Sequence, residues 1–134
     1  MDIVLRTNSE DPFLALRNVQ RFSDSSGFGA FLVVRSRGFA AERSFYVEPG
    51  PVVTFVEAVE HMDRSLTGTA LLKPLYEGDL IELSLDSAGR VMVRGEIYEY
   101  SACPQQLRFQ FETDQTCLAP LAADVRACLR LPVT

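Results

Sequence analysis

Apolar and polar residues alternate over Gln105–Asp114, where Leu107, Phe109 and Phe111 are separated by Arg108, Gln110 and Glu112. A period of two is that of a half-buried strand, apolar toward a core and polar toward water. The pattern breaks at Thr113-Asp114-Gln115-Thr116. It resumes with Leu118, Leu121, Val125, Cys128 and Leu129, the spacing of one helical face. A helix over 115–130 is predicted, with Asp114 or Thr116 accepting from its free N–H groups. Pro120 is compatible with it only inside the first turn.

The earlier chain runs the same plan once before. Ile3–Arg6 is a short apolar run, and strand-like segments follow at Phe13–Phe22, Phe28–Arg35 and Phe39–Val47. In the second of these, Phe28, Ala30, Leu32 and Val34 alternate, while Phe31 and Val33 make the other face apolar too. That predicts a central strand covered on each side. Ser36-Arg37-Gly38 reads as a tight hairpin turn. Glu48-Pro49-Gly50-Pro51 halts the sheet. Val52, Phe55, Val56, Val59, Met62 and Leu66 then share one stripe, which predicts a helix over 52–66. Gly68 is placed to end it, because glycine takes positive φ cheaply.

Further strands are predicted at Thr69–Leu75, Leu80–Leu85, Arg90–Tyr100 and Gln105–Asp114, with a turn at Asp86-Ser87-Ala88-Gly89. Gly95, inside a strand, marks a bulge or close packing. The connections are too short for parallel crossovers. The expected fold is therefore α+β, mostly antiparallel β-sheet with two helices, in the order ββββα-ββββα. It is expected as a single domain over 1–134, divisible into structural halves 1–67 and 68–134.

With 134 residues, 47% hydrophobic and 23% charged, the chain can bury a core without metal or disulfide staples. No apolar run approaches the roughly 20 residues that span a bilayer. The first residues, Met1-Asp2-Ile3-Val4-Leu5-Arg6, are not expected to be a signal peptide. Cys103, Cys117 and Cys128 have no framework spacing and read as reduced cytosolic thiols. The net charge of −5 lies in one place: residues 51–104 carry nine acids against four bases, while the flanking segments are neutral. An acidic surface repels nucleic acid and favours basic partners.

The residues by themselves outline no catalytic centre. His61, the one histidine, sits on the polar face of the first helix, and no Gly-x-Ser-x-Gly elbow is present. The cysteines lie 14 and 11 residues apart, without the close pairs of a zinc site, and no metal or cofactor is expected. Gly27-Phe28-Gly29 precedes a strand rather than a helix, so it cannot cradle phosphate. Phe28, Phe31, Phe109 and Phe111 alternate as core residues do and are expected inside, not stacked on bases. Glu57, Glu60, Asp63, Glu77 and Asp79 form the densest acidic group and are expected on a solvent face, as a docking patch for a basic protein.

Thr67-Gly68-Thr69-Ala70-Leu71-Leu72 and Leu107-Arg108-Phe109-Gln110-Phe111-Glu112-Thr113-Asp114-Gln115-Thr116-Cys117-Leu118 resemble the WapI-like immunity protein family of small bacterial proteins. That family has a helix ending in a Ser/Thr-Gly-Thr-Ala step. It also has a Leu-Arg-Phe-x-Phe strand running into Thr-Asp-Gln and a terminal helix. The likeness spans about residues 55–130; Cys117 stands where an aromatic residue is more usual. It implies a non-catalytic, cytoplasmic immunity-type protein, a monomer or homodimer. Such a protein would bind and neutralise a cognate toxin domain, including a basic nuclease toxin domain. From the acidic charge and the lack of a spanning apolar run, no nucleic-acid or membrane partner is expected. The alternative is a small-ligand-binding protein or small enzyme with a carboxylate-lined pocket.

Overall fold

Each alternating segment forms a strand and each 3.6-period segment a helix. The computed structural model describes residues 1–133. β1 (Ile3–Val4), β2 (Phe13–Arg21), β3 (Phe28–Ser36) and β4 (Phe39–Val47) precede α1 (Pro49–Ser65). β5 (Thr69–Leu72), β6 (Leu80–Leu85), β7 (Arg90–Glu99) and β8 (Gln105–Asp114) follow. A 3₁₀ turn (Gln115–Cys117) then leads into α2 (Leu118–Leu129). The strands make two four-stranded antiparallel sheets, ordered β1-β2-β3-β4 and β5-β6-β7-β8. The fold is α+β in the order ββββα-ββββα.

Local chemistry sets the boundaries. Arg37 and Gly38 both have positive φ, 52° and 87°, the two-residue turn whose twist matches paired strands. α1 begins at Pro49, earlier than the 52 expected. Proline suits a first turn, where its missing N–H needs no partner. The left-handed residue closing α1 is Leu66 (φ 56°), whose N–H reaches the Met62 carbonyl at 2.8 Å; Gly68 follows at φ 101°. Asp114 supplies the second cap, accepting from the Thr116 N–H at 2.9 Å, and Pro120 falls in the first turn of α2. Pro74, just after β5, stops that strand short of the expected Leu75.

One apolar core joins both sheets and both helices. It takes Leu32, Val34 and Phe45 from the first sheet, Val56, Val59 and Met62 from α1, Leu83, Val91 and Val93 from the second sheet, and Leu118 and Val125 from α2. The Thr113 hydroxyl donates to the Arg6 carbonyl at 2.9 Å and ties β8 to the chain after β1. Cys117 and Cys128 lie in this core, and burial pushes both thiols up to about 11.

A void of about 60 Å³ remains in the core, bordered by Leu14, Val19, Phe55, Leu83, Val125 and Cys128 among others. Filling such a void recovers transfer energy with little strain. Val125→Leu is expected to stabilise the chain by about 1 kcal/mol, seen as a higher urea midpoint at unchanged slope. A lower midpoint would mean that the void has no slack to fill.

Candidate functional site

The five acids singled out above do not converge. Glu60 faces α2, where its carboxylate receives Arg126 Nε at 3.0 Å and Nη2 at 2.7 Å. Arg126 holds the Glu60 carboxyl below its ordinary value. This acid therefore joins the two helices. Glu57 and Asp63 are exposed on α1, with no ion-pair partner within 4.0 Å among the described residues. Glu77 is exposed in the β5–β6 connection, and its carbonyl accepts from Lys73 Nζ. On the β5 side, α1 presents Thr54 and Ala58 toward Leu71 and Lys73.

Asp79 corrects the expectation of a solvent-facing group, being only 7% exposed. Its Oδ1 accepts the Tyr98 N–H at 2.9 Å and holds the β5–β6 connection against β7. Burial raises the Asp79 carboxyl above 3.8, opposed by the Tyr98 hydrogen bond. Its proton is bound more tightly in the fold than in the unfolded chain. The stability it contributes is therefore fully present below pH 3.8 and lost as pH rises through the folded value. Asp79→Asn keeps the acceptor and removes the titration. It is expected to match or exceed the natural chain in stability at about pH 7, with the difference closing toward about pH 4. Asp79→Ala orphans the Tyr98 N–H and should cost about 1–3 kcal/mol. Urea midpoints at the two pH values check both; an Asn variant weaker at the higher pH would contradict the sign.

The cavities do not gather these acids. The groove between α1 and β5 contains Glu48, whose Oε1 accepts the Leu75 N–H at 2.9 Å, and its other walls are mostly small or apolar. The core void of about 60 Å³ is far below the roughly 300–1,000 Å³ of small-molecule sites.

The two sheets differ on their outward faces. The outer face of β6–β8 is a self-neutralised polar ladder. Arg94 meets Glu82 at 3.3 Å and Glu96 at 3.0 Å, and Arg108 meets Glu96 at 3.6 Å. The Tyr98 hydroxyl, and then these arginines, hold the Glu96 carboxyl low. Gly95, on the opposite face, is covered by the Phe109 ring, so close packing rather than a bulge explains it.

The outer face of the first sheet is apolar and aromatic. Register places Phe13 opposite Arg35, Ala15 opposite Val33, and Arg17 opposite Phe31. Across β3 and β4, Gly29 meets Tyr46, Phe31 meets Ser44, and Val33 meets Glu42. Directly opposed residues share a face. The sequence predicts that this face of β3 is covered; Val33 is buried as expected, whereas Phe31 is 44% exposed, and Tyr46 on β4 is 58% exposed. The Phe22 and Tyr46 rings lie 5.9 Å apart over Gly29, where a Cβ would come within 2.8 Å of Phe22. Arg17 and Arg35 place their guanidinium carbons 5.3 and 4.3 Å from the Phe13 ring centre. The signal was present in the sequence: two apolar faces on one strand, with arginines on its neighbour and at its end.

Fold and surface together define an antiparallel α+β protein of two sheets and two helices, with one outer sheet face polar and the other aromatic. No family model and no curated protein matches the chain. Among solved structures, it is similar to one described as crystal structures of Trypanosoma brucei MRP1/MRP2. The TM-score is 0.54 at 10% identity, covering 96% of this chain and 82% of that one. The likeness extends to the fold alone. No helix is long and apolar enough to cross a membrane among the described residues.

Proposed function

We propose that this chain is a non-catalytic, cytoplasmic immunity-type protein that neutralises a toxin domain by docking it on the outer face of its first sheet. The observation that carries this is the exposed Phe31–Tyr46 surface beside Arg17 and Arg35. Phenylalanine, tyrosine and arginine are enriched at the cores of protein interfaces, where lysine and glutamate are depleted. An aromatic patch open to water is costly unless something covers it. The resemblance carried by Leu107–Leu118 suggests the kind of partner, and the exposed surface supports this face as its docking place. The chain's net charge of −5 favours a protein over nucleic acid as that partner.

A second docking surface rests on Glu57 and Asp63, which are exposed on α1 and have no ion-pair partner within 4.0 Å among the described residues. A basic nuclease toxin domain could be steered there, and its association would slow with added salt. Growth rescue and pull-down with the toxin domain encoded beside this gene test both surfaces. Docking on the sheet predicts that Glu57→Lys with Asp63→Lys leaves rescue intact. Loss of rescue by that pair, with the sheet-face variants unaffected, would place the partner on α1 instead.

A further inference from the structure

We infer that Arg17 and Arg35 form a carboxylate clamp on the first sheet, so that the docked partner presents an acidic segment with an apolar side chain beside its carboxylate. The inference rests on the protein-binding reading above and names the partner's chemistry. Arg90, Arg94, Arg108 and Arg126, four of the chain's 13 lysines and arginines, each meet a carboxylate within 4.0 Å. Arg17 and Arg35 have none within 4.0 Å among the described residues. Both are instead placed over one ring, at 5.3 and 4.3 Å from its centre.

Contact with the Phe13 ring forms no conventional hydrogen bond, and the N–H donors of Arg17 and Arg35 meet no carboxylate within 4.0 Å among the described residues. Two such groups on one ring concentrate positive charge. Glu42, opposite Val33 on the same face and diagonal to Arg35, makes no ion pair with either arginine within 4.0 Å among the described residues. A carboxylate is the matching ligand, since arginine binds it through paired, charge-assisted hydrogen bonds. Phe31, directly across from Arg17, offers an adjacent apolar contact. A nucleic-acid strand would need cations tracking many phosphates, which two arginines on a net −5 chain do not provide.

The test uses the full chain and a fluorescent peptide of alternating aspartate and phenylalanine. An asparagine version of the peptide and a single-stranded oligothymidylate are the controls. The acidic peptide should bind and shift the amide resonances of Arg17, Phe31 and Arg35. Its affinity should fall about tenfold or more with Arg17→Gln/Arg35→Gln and with the asparagine peptide. Absence of acidic-peptide binding, binding indifferent to the double variant, or preference for the oligothymidylate would overturn the clamp. The toxin assay separates the two levels. Toxin binding lost with Phe31→Ser/Tyr46→Ser but kept with Arg17→Gln/Arg35→Gln overturns the clamp and leaves the docking face. Toxin binding kept by both variants overturns the docking face itself.

Discussion

Gly95→Val is expected to destabilise the chain by about 3 kcal/mol. A Cβ at this position would stand 2.1 Å from Phe109 Cζ and 2.3 Å from Cε1, far inside contact distance. The ring cannot step aside freely. It is 8% exposed, and its centre lies 6.2 Å from that of Phe111, which is buried as well. β7 is also an inner strand of its sheet, so a backbone shift would disturb its pairing with β6 and β8. Shrinking the ring should relieve the conflict. Gly95→Val with Phe109→Leu is expected to lose less than the sum of the single changes, as contacting sites do. Urea unfolding followed by far-ultraviolet dichroism measures all three variants. Strict additivity would mean that the glycine serves something other than the ring.

Phe31→Ser with Tyr46→Ser is expected to weaken toxin-domain binding about a hundredfold or more, since aromatic anchors dominate interface energy. The same pair should change folding stability by no more than about 1 kcal/mol, as both side chains are largely outside the core. The combination separates a binding surface from a structural one. A folded double variant that still binds and rescues at the natural level would remove this face from the interaction. The polar ladder of β6–β8 provides the contrast. Its charges already neutralise one another, so Arg108→Gln should leave binding unchanged.

The element order was legible because period two and period 3.6 are properties of neighbouring residues. Leu107, Phe109 and Phe111 announced β8, and Val52, Phe55, Val56, Val59 and Met62 announced α1. The start of α1 was read late because Pro49 and Pro51 stop a sheet and open a helix with equal ease. The candidate site was less legible, because it depends on which faces the fold covers. Phe31 and Val33 looked like the second buried face of a central strand; Val33 is buried, yet Phe31 meets solvent. Glu60 looked free because its partner, Arg126, is 66 residues away. Asp79 looked like a turn acid because its hydrogen bond to the Tyr98 N–H spans 19 residues. In each case a long-range pairing or an uncovered face decided the outcome, and no local pattern encodes either.

Hydroxyl-radical footprinting of the full chain with its toxin domain tests the central claim most directly, because it reads side chains rather than backbone. Tyr46 and Phe31 on the first sheet are exposed, and so are Tyr76 and Tyr100 at the opposite sheet's loops, at 88% and 60%. Docking on the first sheet predicts that oxidation of Phe31 and Tyr46 falls in the complex while that of Tyr76 and Tyr100 is unchanged. Protection of Tyr76 and Tyr100, with Phe31 and Tyr46 as reactive as in the free chain, would contradict it.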